Sequence, residues 1–526
     1  MLIDGRTLPP DHVLETDLCI IGAGAAGVTL ALAFAGARDV DVCLIESGGF
    51  DFEPDVQELY RGETVGAPYE PYHTRLRYFG GSTNHWGGYC RPLDDLDVEG
   101  RPWIAYSGWP LSRTELSPYY DASGELCQIG ALGFGSKPWA ERVGLPIFDL
   151  DDSALRHLVF QLSPPTRFGE VYRARLLAAD NLNLCLHSNL TGFRRRAGDA
   201  SVERVEVATL AGNRFTVTAR CFVLACGGIE NARLLLWSQR SEDGLPDLPD
   251  LVGRFFMEHA HFNLGTLALA EADQNVTAYL HGNPAQDGLR ANFHLGLRPE
   301  VQAAEQIANV AVQLRPRVPS AGEKSLRRIW GSLRRGRYPE DLGRHLQRVL
   351  ADLGPISDVV GNKLAQRLFG VAEHGPLLAL RAVGEQVPNP DSRITLADTV
   401  DALGMAKVLV DWRLNELDRV TLRRAGEILA EEFGRLGLGR MQLAFSGEDG
   451  AEPEFIEWGY HHIGTTRMDD DPKRGVVDRN CRLHVAPNLY LAGSSVFPTS
   501  GGGTPTLTLV ALALRLADHL KAQIFA

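Results

Sequence analysis

The stretch DLCIIGAGAAGVTLALAFAG, Asp17 to Gly36, decides the fold. A short apolar run enters a turn of small residues, and a helix-like stretch leaves it. Gly22, Gly24 and Gly27 stand in the G-x-G-x-x-G spacing. The first glycine permits a tight turn, the second lets bare backbone approach a pyrophosphate, and the third lets helix and strand pack closely. Ala25 and Ala26 open the helix, whose N-terminus attracts phosphate. A second apolar run, VDVCLIE, ends in Glu46, followed by Ser47, at the distance where an acid receives ribose hydroxyls. An isolated glycine fingerprint is also met in ordinary glycine-rich turns. Strand, helix and acid together select the nucleotide-binding reading.

Two distant segments repeat the strand, glycine turn and helix order. RCFVLACGGIENARLLLWS, from Arg220, offers Ala225 and Gly227 at its turn. NLYLAGSSVFPTSGGGTPTLTLVALALRLADHL, from Asn488, offers Gly493 and Ser494, then Thr504, Pro505 and Thr506 where the last helix begins. Between them in kind, NLNLCLHSNLTGF reads as one extended run with period-two alternation. A nucleotide domain built from distant pieces is implied.

Composition limits the alternatives. A chain of 526 residues with a formal net charge of −13 suits a large enzyme and repels nucleic-acid phosphates. The opening MLIDGRTLPPDHVLETD has acids and prolines where a secretory signal needs a basic start and an apolar run. The apolar C-terminal run is interrupted by Arg515 and Asp518, so a buried helix is expected rather than a membrane span. The expected compartment is the cytoplasm. Eight cysteines without C-x-x-C pairs predict neither a disulfide framework nor a metal site.

The glycine fingerprint does not separate a nicotinamide from a flavin. The N-terminal fingerprint, YFGGSTNHWGGYC, GWPLSRTELSPYY, ACGGIENARLLL, VGRFFMEHAHF, HHIGTTRM and the C-terminal loop, in this order, resemble the glucose-methanol-choline (GMC) family of flavoproteins. The resemblance fades between about Asn263 and Gly384 and returns at EQVPNPDSRITL. GGSTNHW is most similar to the branch of pyranose 2-oxidase and bacterial sugar dehydrogenases. The resemblance implies an α/β fold: a discontinuous Rossmann-like FAD-binding domain and a substrate domain with a mainly antiparallel sheet covered by helices. The expected bounds are 1–49, 80–130, 165–260 and 455–526 for the FAD domain and 50–79, 131–164 and 261–454 for the substrate domain. It also implies the reaction, in which a base takes the hydroxyl proton of a secondary alcohol, on a sugar or glycoside, while hydride passes to flavin N5.

Histidine suits that base because its pKa lies near working pH. By position in the family motif His461 is the base, and the adjacent His462 is a packed or surface residue. The loop Gly81, Ser82, Asn84, His85, Trp86 and Gly87 has the small-residue composition to lie along the flavin ring. In pyranose 2-oxidase the histidine matching His85 is bonded to the flavin; here packing without that bond is the default expectation. Where the family places a second histidine or an asparagine opposite the base, this chain has Thr504. Two readings of Thr504 stay open: a hydroxyl on the substrate oxygen, or an N-cap ahead of Pro505. The glycines before it are expected to let the ring and substrate approach closely.

The basic stretch at about 320–370 reads as a solvated helical insertion, with a lid, an oligomer contact and a membrane-surface helix as alternatives. Non-redox flavoprotein lyases of the same fold and an inactive binding homologue are the competing functions. The alcohol and the electron acceptor (oxygen, quinone or other) are not legible.

Overall fold

The computed structural model describes residues 1–526 except 130–132, 246–247, 272, 281, 317–323, 327, 330–340, 352–376, 446–452 and 526. The strand Leu18–Ile21 is buried at every position. It lies inside a six-stranded sheet in the order Leu2–Asp4, Leu182–Leu186, Val42–Ile45, Leu18–Ile21, Cys221–Leu224, Leu489–Leu491. All five pairings are parallel. A parallel sheet covered on both faces needs apolar residues at successive positions, which is why these strands read as unbroken runs such as LCII and CFVL.

Helices Ala25–Phe34, Gly228–Ser238 and Pro505–Gln523 each follow one of these strands. Their N-termini therefore gather at the carboxyl edge of the sheet, where open parallel sheets take ligands. Pro505–Gln523 packs on both Ala25–Phe34 and Arg113–Leu126, so the C-terminal run is the expected buried helix. Among the described residues no helix is long and apolar enough to cross a membrane.

The stretch NLNLCLHSNLTGF is not one extended run. Leu182–Leu186 belongs to the parallel sheet, whereas Asn189–Arg195 belongs to a separate four-stranded sheet with His12–Glu15, Arg214–Thr218 and Val202–Ala208. His187 divides them, with φ 53° in the left-handed region. A single backbone reversal of this kind leaves the hydrophobic alternation nearly intact, so periodicity does not reveal it.

The second large layer is a nine-stranded, mainly antiparallel sheet. Its path is Gly439–Leu443, His261–Leu269, Leu377–Gly384, Val310–Pro316, Arg290–Leu297, Leu155–Leu162 and Tyr89–Cys90, with Asn283–Pro284 and Glu454–Glu457 paired alongside. The helix Glu416–Arg435 packs against this sheet. A capping box of Asn415 and Asp418 starts it. The mixed α/β architecture is the expected one. Most of the basic insertion at about 320–370 lies outside the described residues; within it Leu342–Ala351 is helical.

Candidate active site

A cleft of about 530 Å³ runs between the carboxyl edge of the parallel sheet and one face of the antiparallel sheet. Of the site residues singled out above, all but Gly27 and Asn84 line it. Gly27 lies behind the wall, where a Cβ would come within 1.8 Å of the Gly22 carbonyl oxygen. Asn84 ties its own loop together, its amide donating to the Phe79 carbonyl at 3.0 Å.

The nucleotide end is built from bare backbone. Gly22 has φ 100°, and an added Cβ at Gly24, Gly227 or Gly493 would meet no atom of the described residues within 4 Å. Gly81 crosses the first turn, so that a Cβ there would come 3.1 Å from Gly24 Cα. Glu46 is buried at the end of its strand, accepting the Ala23 N–H on Oε2 at 2.9 Å and the Gly48 N–H on Oε1 at 3.1 Å. Burial raises its carboxyl pKa against those donors. A bare glycine turn, open backbone and an acid on the cleft wall fit the dinucleotide part of FAD.

Sequence reasoning missed the charged floor of this region. Glu230 pairs with Arg75, Arg77 and Arg233 at 3.1, 3.2 and 2.7 Å, and all four are buried. Burial opposes ionisation of Glu230, but the three guanidiniums override it and hold its pKa down at about 2. The motif TRLRYFGG carries two of these arginines with no periodic signal to mark them.

His461 stands at the other end, and its protonation state follows from its neighbours. His259 Nε2 lies 2.8 Å from the Gly501 carbonyl oxygen, which can only accept, so Nε2 carries the proton. Neutral His259 then presents a lone pair on Nδ1, 2.9 Å from His461 Nδ1. His461 must donate there, which leaves its Nε2 unprotonated on a ring that lines the cleft. Burial is the first cause holding both imidazoles below the ordinary histidine pKa, and at His461 repulsion from His259, His261 and His462 adds to it.

The backbone under His461 is held by Glu258, which is fully buried. Its carboxylate accepts the N–H groups of Tyr460 at 2.8 Å, His259 at 3.2 Å and His461. Burial pushes this carboxyl up to about 7, against three donors that favour the charged form. Neither Glu258 nor His259 was singled out from sequence. The usable signal was the alternation in MEHAHF, which places His259 and His261 on one face.

His462 packs its ring against Phe256 and Tyr69, with centroids 6.2 and 6.0 Å away. Burial lowers its pKa to about 3, and its Nε2 has no hydrogen-bond partner among the described residues. Thr504 sits at the N-cap position ahead of Pro505, but the side-chain cap bond that the second of its two readings calls for is not formed. Its hydroxyl instead donates to the Tyr89 carbonyl at 2.6 Å, because the helix start is pressed against the strand Tyr89–Cys90. The glycines before it also answer to packing on their far side. A Cβ at Gly501 would meet Leu93 at 2.5 Å, and one at Gly502 would meet Asn309 at 2.5 Å.

Residues 388–513 match the GMC oxidoreductase family. Along its whole length the chain is similar to 2-methyl-1,2-propanediol dehydrogenase of Mycolicibacterium austroafricanum, at 24% identity over 97% of this chain and 96% of that one. It is also similar to the fructose dehydrogenase large subunit of Gluconobacter japonicus, at 25% over 97% and 98%. A C-glycoside 3-oxidase of Microbacterium trichothecenolyticum is 30% identical over 36% of this chain and 34% of its own. Among solved structures, pyridoxine 4-oxidase from Mesorbium loti shares the fold with a TM-score of 0.60 at 18% identity, covering 97% of this chain and 99% of that one. The match makes residues 388–513 a GMC oxidoreductase segment, and with the glycine-lined nucleotide end and the full-length likenesses it indicates FAD as the cofactor.

Proposed function

We propose that the protein oxidises a secondary alcohol, carried on a sugar or glycoside, to a ketone, with His461 as the base. The observation that supports this most is the lone pair that the Gly501–His259–His461 chain leaves on His461 Nε2. A base for an alcohol must be unprotonated at the atom that meets the hydroxyl, and this relay sets that atom. The names of several relatives, fructose dehydrogenase, C-glycoside 3-oxidase and pyranose 2-oxidase among them, favour a carbohydrate.

The Gly22 to Gly27 turn and Glu46 would hold the adenosine end of FAD, with backbone at Ala225, Gly227, Gly493 and Ser494 along its length. The loop from Gly81 to Gly87 and the helix start at Pro505 and Thr506 would hold the ring end. Bound FAD supplies the acceptor for the hydride that leaves the substrate carbon. His461 takes the hydroxyl proton on Nε2 and His259 keeps its ring oriented. Glu258, through the N–H groups of Tyr460 and His461, keeps the segment in place. His85 lines the same wall, and non-covalent packing against the ring is the reading we keep for it.

Mixing the yellow holoenzyme anaerobically with sugars, glycosides and simple alcohols should bleach the flavin, after which oxygen or a quinone should restore the colour. His461→Ala should slow bleaching by roughly two to four orders of magnitude while flavin stays bound. His462→Ala should do much less. Substrate consumed while the flavin stays oxidised would replace this reading with a lyase. Flavin remaining in the acid-precipitated pellet would place a covalent bond at His85.

A further inference from the structure

Beyond His461 the cleft is roofed by one face of the antiparallel sheet, and strand register decides what that face presents. Gln313 stands opposite Arg381, and His261 and Ala311 both stand opposite Val383. Near the strand Tyr89–Cys90 this face is apolar, where Leu158, Phe160 and Ala311 cluster with Tyr89 and Val383 against them. Farther along it becomes polar, with His261, His294, Gln313, Arg315, Arg381 and Glu457 on the cleft wall.

The inventory of this polar lobe is weighted towards donors. Arg315 donates from Nε and Nη2 to Gln313 Oε1 at 3.2 and 2.9 Å, which engages the amide's acceptor and leaves its NH2 group as a donor. Arg381 pairs with Glu457, which also lies 3.6 Å from His261 Nδ1. Among the described residues Arg381 Nε remains buried without a hydrogen-bond partner. Both ring nitrogens of His294 likewise find no partner among the described residues, although that residue is only 2% exposed. Among the described residues two guanidiniums thus face one carboxylate, and Glu457 stands on a strand exposed along its whole length. In a chain of net charge −13, a cationic lobe inside this cleft runs against the molecule's average field. Guanidinium groups match planar, acceptor-only oxygens, and a carboxylate or phosphate would meet these donors with charge and two-pronged geometry, where a neutral sugar hydroxyl offers a weaker, uncharged acceptor.

We propose that this lobe binds an anionic oxygen group of the substrate, a carboxylate or a phosphate ester, so that the alcohol oxidised at His461 belongs to a charged sugar. The inference rests on the alcohol-oxidation reading, which it narrows. Arg315 and Arg381 fix the anionic end, Glu457 yields its place on Arg381 to the ligand, and the apolar patch covers the sugar's carbon face.

The test compares matched ligands on the holoenzyme: glucose, glucuronate and glucose 6-phosphate, with the galactose set beside them, read as anaerobic flavin reduction. The anionic members should exceed the neutral one in kcat/KM by roughly ten-fold or more, the worth of one charge-assisted hydrogen bond. The advantage should shrink with added salt and disappear in Arg381→Gln and Arg315→Gln, with Arg381→Lys intermediate. Preference between glucuronate and glucose 6-phosphate identifies the anion. Calorimetry with glutarate and with inorganic phosphate, neither of which can be oxidised here, should show wild-type binding that both Gln variants lose while retaining flavin colour and melting temperature. Neutral sugars reducing the flavin as well as their charged partners, or neither glutarate nor phosphate binding the wild type, would overturn the proposal. If no alcohol reduces the flavin while glutarate or phosphate binds and the Gln variants lose it, the alcohol-oxidation reading fails and the anion site stands.

Discussion

At the scale of single residues, the site depends on groups that hold other groups. Glu258 offers four lone-pair sites and meets three backbone N–H donors and the Tyr69 hydroxyl, 3.4 Å away. In Glu258→Gln one oxygen becomes an NH2 group, so a buried donor faces a donor whichever way the amide turns. The expected result is retained flavin with bleaching slowed roughly ten-fold, the range of one lost charged hydrogen bond. Because the backbone under His461 loosens, its ring gains water, and the acid limb of the reduction rate should move up towards the ordinary histidine value of about 6.5. In the wild type that limb should lie well below it, since burial lowers the His461 pKa. An unmoved limb in the variant would leave Glu258 with a structural role alone. Thr504 behaves differently, because its hydroxyl hydrogen is already given to Tyr89. Thr504→Val should cost about 1 kcal/mol of stability and leave the reduction rate near that of wild type. A rate loss of two orders of magnitude would put the Thr504 oxygen on the substrate.

At the scale of elements, two glycines that look alike in sequence face opposite partners. Gly24 caps the helix Ala25–Phe34 with φ −77°, a conformation alanine adopts freely, and an added Cβ there meets none of the described residues within 4 Å. Gly24→Ala should therefore leave the melting of the flavin-free protein within about 0.5 kcal/mol of wild type and weaken FAD retention, measured by dialysis. Gly502 stands in the loop before Pro505–Gln523, where a Cβ would come 2.5 Å from the buried amide of Asn309. Gly502→Ala should destabilise the fold itself by about 1–3 kcal/mol, through overpacking. Equal behaviour of the two variants would remove the distinction between glycine kept for a cofactor and glycine kept for packing. Sequence showed both as small residues in turns, and only the opposing surface separates them.

At the scale of the whole molecule, buried titratable groups set the response to acid. Eight imidazoles, of His85, His157, His259, His261, His294, His461, His462 and His519, have pKa values lowered, with burial the first cause in each. A histidine lowered on folding stabilises the fold above about pH 6.5 and loses that contribution as pH falls, because only the unfolded chain takes up the proton. Four carboxyls act in the opposite sense: burial raises Glu46 above the usual carboxylate range, and Asp97, Glu258 and Asp418 to about 6, 7 and 7. Their contribution is full below about pH 4 and is lost as pH rises through those values. The imidazoles outnumber the carboxyls, so the melting temperature of the holoenzyme should fall between about pH 6.5 and 4.5, before most exposed carboxylates titrate. Calorimetry across that window decides it; a melting temperature that held or rose would show the buried carboxyls dominating.

The sequence by itself determined the parallel nucleotide unit, because its signals are local. A strand, a glycine turn and a helix lie within twenty residues of one another at Gly22, and the same order returns at Gly227 and Gly493. It also singled out His461, through a family resemblance carried by neighbouring residues. The tertiary structure decided what those residues can do. The His461 tautomer depends on His259 and on the Gly501 carbonyl, 242 positions from His259 along the chain. The break at His187 depends on one left-handed residue, and the arginine lobe on strand register between Val310–Pro316 and Leu377–Gly384. A hydrogen bond or a cross-strand neighbour between distant positions leaves no period in the sequence, so the chemistry of the cleft exists only once the sheets are assembled.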